Sequence, residues 1–226
     1  MLTKPQKTFS IIFFALIIFE LITNHFSSLH PLHYIAKPLL VLALLVFFIK
    51  QSIKLHKNIR ILTSIALICS LFGDVFLMFD DQNQLFFILG LVAFLIAHIF
   101  YVFVFLKHKN PQKKPFFFIA ILVLYAFTLF YFIKPNLDDL LIPVVVYMLV
   151  ILSMATTAFM RHQKVNSLSF KFVLFGAFFF LISDSLLSLN LFYKPLPLAN
   201  ISIMTTYAIA QYLIVIGILK LNATEV

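Results

Sequence analysis

Glu20, Lys37, Asp74, His98 and Asp184 each lie inside a long apolar stretch of the chain. A charged side chain at the centre of a membrane helix costs about 2.5–3.5 kcal/mol even on a lenient insertion scale, so such residues point to function. Neutral Tyr101, Tyr207 and Gln211 share the same setting, with Tyr207 and Gln211 four apart on one helical face. Two carboxyls in unlike surroundings divide into a proton donor and an ionised carboxylate, and an imidazole relays protons between them and solvent. Ser70 and Ser183 are the available hydroxyls, but neither sits in a Gly-x-Ser-x-Gly elbow. The chain has no His-Glu-x-x-His, no phosphate-binding loop and no dinucleotide fingerprint. Asp74, Asp184 and His98 are hard ligands that could hold a metal. They lack paired-His spacing, so the expectation is no metal and no cofactor.

The elements that position these groups follow from composition. The chain has 226 residues, 63% hydrophobic and 11% charged, with 30 Phe and one cysteine, Cys69. Soluble domains are about 45–50% apolar and about 25% charged, which excludes a water-soluble fold, and a lone cysteine excludes an internal disulfide framework. Eight apolar stretches, at 9–26, 32–49, 61–79, 85–106, 116–133, 140–160, 170–192 and 199–219, each approach the ~20 residues that cross a bilayer core. The first follows Lys4 and Lys7 but is too long for a signal-peptide core and has no small-residue cleavage site, so it reads as a retained helix. Of the 17 Lys and Arg, all but Lys37, Lys134 and Lys194 fall on one side when the connectors alternate. That asymmetry places both termini in the cytoplasm. The expected fold is all-α: a polytopic bundle of eight transmembrane helices, one domain over residues 1–226. The net charge of +9 then needs no nucleic-acid partner. A short chain with no organelle signal fits a bacterial inner membrane.

An internal echo accompanies this pattern. Leu71-Phe-Gly-Asp74-Val-Phe-Leu77 matches Leu181-Ile-Ser-Asp184-Ser-Leu-Leu187 in spacing, and the next span in each case carries Ala97-His98 or Ala210-Gln211. Two parallel four-helix repeats, 1–110 and 111–226, would produce it. With ~1.5 Å per residue, Glu20, Lys37 and Asp74 lie about 10 Å below the outer edge, and Asp184 and Tyr207 about 14 Å. His98 and Gln211 lie about 20 Å down. The expectation is a polar chamber opening toward the outer face.

Each residue also has a plainer reading. Lys37 is shallow enough to snorkel to headgroups, and Glu20 reads equally as an edge residue. Asp74 and Asp184 would serve as helix-packing ion pairs, His98 as a donor to a backbone carbonyl, and Tyr101, Tyr207 and Gln211 as interhelical hydrogen bonds.

Lys37-Pro38-Leu39-Leu40, Ser70-Leu-Phe-Gly-Asp74, Gly90 through His98 to Tyr101, Phe180-Leu-Ile-Ser-Asp184 and Tyr207-Ala-Ile-Ala-Gln211 together resemble the YhhN family of lysoplasmalogenase-like membrane proteins, over spans two to eight. The resemblance implies an eight-helix enzyme that hydrolyses the vinyl ether bond of a lysophospholipid held in the membrane. Its products are a fatty aldehyde and glycerophosphoethanolamine or glycerophosphocholine. It also implies an active site at Asp74 and Asp184, with Lys37, His98, Tyr207 and Gln211 around them. Taken with the residues themselves, the expectation is catalytic Asp74, Asp184 and His98, and substrate-binding Lys37, Tyr207, Gln211, Tyr101 and Glu20. The chemistry agrees with the residues: protonation of the carbon beta to oxygen gives an oxocarbenium ion, water captures it, and no nucleophilic Ser or Cys is required. Two-carboxylate glycoside hydrolysis follows parallel logic. Asp184, the deeper residue, is expected to be the acid and Asp74 the ionised partner, although the reverse fits the sequence almost as well. The alternatives are a proton-coupled transporter, whose relays also use midplane carboxylates, and a lysolipid-binding protein without turnover.

Overall fold

A computed structural model describes residues 2–221. Eight long helices follow in order: α1 Lys4–His25, α2 His30–Gln51, α3 Lys57–Phe76, α4 Gln84–Leu106, α5 Phe116–Ile133, α6 Leu141–Phe159, α7 Ser167–Phe192 and α8 Ala199–Leu219. All eight are long and apolar enough to cross a membrane, and no strand occurs among the described residues. The chain is a multi-pass membrane protein of eight helices, as its hydropathy implies.

Helix ends follow local chemistry. Thr3 and Gln6 form a capping box at α1 with Pro5 just inside the helix, where a missing N–H costs nothing. His56 Nδ1 accepts from the Asn58 N–H at 3.2 Å to start α3, and Asn166 Oδ1 accepts from the Ser169 N–H at 2.9 Å to start α7. Pro111 and Pro115 separate α4 from α5, and Pro195 and Pro197 separate α7 from α8. Pro38 lies inside α2; membrane helices tolerate this because neighbouring groups satisfy the freed backbone.

Contacts group the chain into residues 1–100 and 101–226, with the division inside α4. This boundary lies upstream of the repeat boundary expected at 110.

In the first unit α1 packs on α2 and α2 on α3. Phe9 stacks on Phe47 with ring centroids 3.8 Å apart, and Phe13, Leu44 and Phe48 are fully buried. Helices α3 and α4 meet where side chains are absent: Gly73 lies under the Phe94 ring and Gly90 under Leu77. Small residues allow this approach in membranes, where lipid supplies no hydrophobic drive between helices.

In the second unit the tightest pairing is α7 with α8. A Cβ on Gly176 would lie 3.0 Å from the Ala210 carbonyl oxygen, and one on Gly217 would lie 2.9 Å from the Val173 nitrogen. The backbones touch, and Ser183 Oγ adds a hydrogen bond to the Ile203 carbonyl at 3.0 Å. At one end of the unit Ile133, Leu137 and Val144 form a dry cluster joined by Leu129, Met148 and Phe192, which fixes α5, α6 and α7 together. At the other end Arg161 leaves solvent altogether. It is 1% exposed, donates to Ser169 Oγ at 2.8 Å and lies over the Phe105 ring. Composition counts Arg161 with the connector charges, yet here it ties the α6–α7 turn to the start of α7.

Candidate functional site

The first unit carries a polar stripe on α3. Thr63, Ser70 and Asp74 recur at helical spacing on its buried face, with Ala66, Leu67 and Gly73 between them. This 3.6-residue periodicity turns the Asp74 carboxyl inward, where it is 1% exposed. On α4 the fully buried His98 follows one turn after Phe94, the residue that covers Gly73. Its imidazole lies within electrostatic reach of the Phe94 backbone.

Glu20 and Lys37 have different surroundings. The Glu20 carboxylate, fully buried on α1, meets His33 Nδ1 of α2 at 3.0 Å. In sequence a histidine three residues from a helix start has the pattern of an interfacial residue, so nothing there singles out His33. Lys37 acts electrostatically on Asp80, in the connector after α3. Burial and the neighbouring Asp81 push the Asp80 carboxyl up from the usual range, and Lys37 partly opposes that shift.

In the second unit, the residues singled out from sequence belong to two separate hydrogen-bonded groups. In one, Tyr101 Oη donates to Gln211 Oε1 at 2.8 Å, and Gln211 Nε2 reaches Tyr207 Oη at 3.4 Å. All three residues are buried, and Tyr207 stands edge-on to Phe180. The i, i+4 spacing of Tyr207 and Gln211 on α8 makes their contact local, whereas Tyr101 arrives from α4.

The other group surrounds Asp184. Tyr147 Oη of α6 donates to Asp184 Oδ2 at 2.6 Å, and Tyr125 Oη of α5 donates to Ser185 Oγ at 2.6 Å. Between these three helices lies a half-open, mostly apolar pocket of about 30 Å³, walled by residues that include Leu129, Met148 and Ile151, with Tyr125, Tyr147, Asp184, Ser185 and Ser188 at its polar edge. Leu129 and Met148 also belong to the dry end cluster, so one packed layer shapes the cavity. Of the residues singled out from sequence, Asp184 alone lines it.

Tyr147, Tyr125, Ser185 and Ser188 were not anticipated. Tyr147 is the one polar side chain between Pro143 and Leu152. That isolation is the available signal, masked because tyrosines near span ends usually read as interfacial anchors.

Chemically, the Asp184 group offers a carboxyl with one oxygen engaged by a phenol, beside space for small molecules in an apolar setting. A carboxyl so placed can give a proton to a substrate atom and recover it from water.

Comparison with known proteins adds a separate line of information. Residues 32–218 match the sequence profile of the YhhN family. Similar curated proteins include lysoplasmalogenase TMEM86B of Homo sapiens, 31% identical over 157 residues, which cover 69% of this chain and 62% of that protein. The Sus scrofa TMEM86B is 31% identical over 154 residues, 68% of this chain and 61% of that protein. Lysoplasmalogenase TMEM86A of Bos taurus is 28% identical over 158 residues, 68% of this chain and 63% of that protein. The chain therefore spans somewhat less than two thirds of the length of these relatives. No solved structure matches it.

Proposed function

The chain belongs to the YhhN family, and from that premise we propose that it is a membrane hydrolase of the lysoplasmalogenase type, cleaving the vinyl ether of an alkenyl lysophospholipid. The observation that carries this reading is the Asp184 carboxyl, tied to Tyr147 inside a membrane-spanning unit and facing a cavity. A scaffold that only packed helices would have no need to leave such a group beside open space.

The reaction proceeds through proton transfers. Asp184 gives a proton to the vinyl carbon beta to the ether oxygen. The C=C electron pair forms the new C–H bond, and the adjacent carbon becomes an oxocarbenium ion. Water adds to that carbon and returns a proton to the Asp184 carboxylate. The hemiacetal then collapses: its hydroxyl releases a proton as the C=O bond forms, the C–O bond to glycerol breaks and the glycerol oxygen takes up a proton, leaving a fatty aldehyde and glycerophosphoethanolamine or glycerophosphocholine. No bond to the enzyme forms, so no nucleophilic side chain is needed. Asp74 and His98 are the further catalytic groups of this proposal. In this reading Asp74 is the ionised carboxylate and His98 the proton relay. Lys37, Tyr101, Tyr207, Gln211 and Glu20 are proposed to bind the substrate.

The test is aldehyde release from an alkenyl lysophospholipid by protein purified in detergent, with no membrane gradient. Asp184→Asn keeps the side-chain volume and removes the acid, and is expected to lower kcat by on the order of 10²–10⁴-fold. Full turnover by this variant, folded as judged by its melting temperature, rejects the assignment. Gradient-driven uptake without aldehyde release indicates a transporter instead.

A further inference from the structure

One end of the second unit is strongly basic. Lys107, Lys109, Lys113 and Lys114 lie between α4 and α5, Lys164 between α6 and α7, and Lys171 near the start of α7. All are exposed except Lys113, which is half-buried with its Nζ 5.1 Å from the centre of the Phe159 ring. No Asp or Glu occurs between Asp81 and Asp138 or between Asp139 and Asp184, so these segments carry no carboxylate of their own. The acid that follows Asp184 in the chain, Glu225, lies outside the described residues. The connectors at the other end are balanced, with Lys134 and Lys194 against Asp138 and Asp139.

Loose connectors would let such charges spread apart, but these are pinned. The Asn110 N–H donates to the Met160 carbonyl at 2.8 Å, and Asn110 Nδ2 donates to the His162 carbonyl at 3.1 Å. Both bonds join the α4–α5 connector to the α6–α7 turn. Asn166 Nδ2 donates to the Lys220 carbonyl at 2.6 Å, which joins the same turn to the end of α8. Arg161 holds the turn from inside through Ser169. Lys113 and Lys114 are adjacent and Lys107 and Lys109 two apart, so each pair starts from Cα atoms within about 7 Å. That is shorter than the screening length of about 8 Å at physiological salt. Repulsion is therefore built into this end of the fold, and a bound anion relieves it.

We infer that this pinned basic face binds the anionic phospholipid headgroups of the surrounding bilayer. Lys107 directly follows the last residue of α4, and Lys171 is the fifth residue of α7. Lysines at the ends of membrane-spanning helices extend their ammonium groups to headgroup level, where lipid is already present at high density. The charges are shared among several chain segments, which suits several singly charged headgroups better than one dense polyanion. Clusters of about 4–8 Lys or Arg beside span ends recognise anionic lipid in this way.

The test is the melting temperature of the whole purified protein in mixed micelles, titrated with phosphatidylglycerol or with phosphatidylcholine. Phosphatidylglycerol is expected to raise it saturably and phosphatidylcholine to leave it lower. A lysine beside an anionic surface contributes about fivefold in affinity. The triple variant Lys109→Gln, Lys114→Gln, Lys164→Gln should therefore bind on the order of 100-fold more weakly, whereas Lys134→Gln with Lys194→Gln, at the other end, should bind like the parent. Equal stabilisation by the two lipids overturns the inference, as does a triple variant that keeps the parent's affinity. An equal rise from inorganic phosphate at the same concentration also overturns it, because the face then takes a soluble anion. Where the triple variant fails to fold, salt decides on the parent alone. In about 1 M salt the screening length falls to about 3 Å, so the effect of phosphatidylglycerol must vanish, and a rise that survives overturns the assignment.

Discussion

Tyr147 and Asp184 meet across α6 and α7 at 2.6 Å, with the phenol donating to Oδ2. The relationship is fixed from both sides. Tyr147 lies two turns inside the start of α6 and Asp184 about two turns from the end of α7, so two consecutive antiparallel helices bring them to one level. In the proposed reaction, where Asp184 is the acid and Oδ2 accepts from the phenol, the transferable proton belongs to the other carboxyl oxygen.

Tyr147 is therefore a positioning residue in the proposed reaction, and Tyr147→Phe should reveal it. A hydrogen bond to a charged group is worth about 1.5–3 kcal/mol, so kcat should fall about 10–100-fold while KM stays within about twofold. The pH–rate profile should also be displaced, because the phenol interacts differently with the two protonation states of the carboxyl. A merely structural loss would lower the fraction of active protein and leave the profile where it was.

The sequence reveals the eight helices well because the membrane imposes one requirement throughout. Each span needs about twenty apolar residues with every backbone group bonded internally, and Pro or charge marks each break. Asp74, His98, Gln211 and Asp184 are legible for the same reason, as the costly exceptions. Their partners are not. Tyr147 finds Asp184, and His33 finds Glu20, through rotations of neighbouring helices that depend on packing. Near-uniform hydrophobicity around α7 and α8 conceals which face is which, so the acceptor pairing of Ser185 with Tyr125 has no period to announce it. Arg161 shows the converse: a basic residue counted by composition as a solvent-facing charge is buried on Ser169.

The glycine pair Gly176 and Gly217 carries a stability prediction. A Cβ at either position meets backbone atoms of the opposing helix at 3.0 Å or less, and backbone cannot rotate aside as a side chain can. Gly176→Ala and Gly217→Ala should each destabilise the fold by about 1–3 kcal/mol, the usual cost of overpacking. The double variant should lose less than the sum, because the first methyl already parts the helices. Gly90→Ala meets only side-chain atoms, Cδ2 and Cγ of Leu77, within 3 Å and should cost less. Thermal denaturation in detergent of the four variants checks the ranking, and equal losses at all three sites would contradict it.

Lys37 and Asp80 yield a prediction that separates electrostatics from substrate binding. Burial first, and Asp81 second, raise the Asp80 carboxyl above its ordinary value, with Lys37 pulling the other way. The folded protein thus holds this proton at a pH where the unfolded chain has released it. The contribution to stability is full below the unfolded value of about 3.9, and it is lost as pH rises through the folded value. Asp80→Asn should melt slightly above the parent at pH 7 and together with it near pH 3.5, a small difference because Asp80 is partly exposed. Lys37→Met should melt below the parent at pH 7, the loss fading in acid where Asp80 is neutral. Placed in the Asp80→Asn background, Lys37→Met should no longer lower the melting temperature. Its effect on turnover should persist there, as a KM raised about tenfold, if the ammonium also meets the anionic headgroup of the substrate. A KM effect that vanishes together with Asp80 would confine Lys37 to its carboxylate neighbour and remove it from the substrate site.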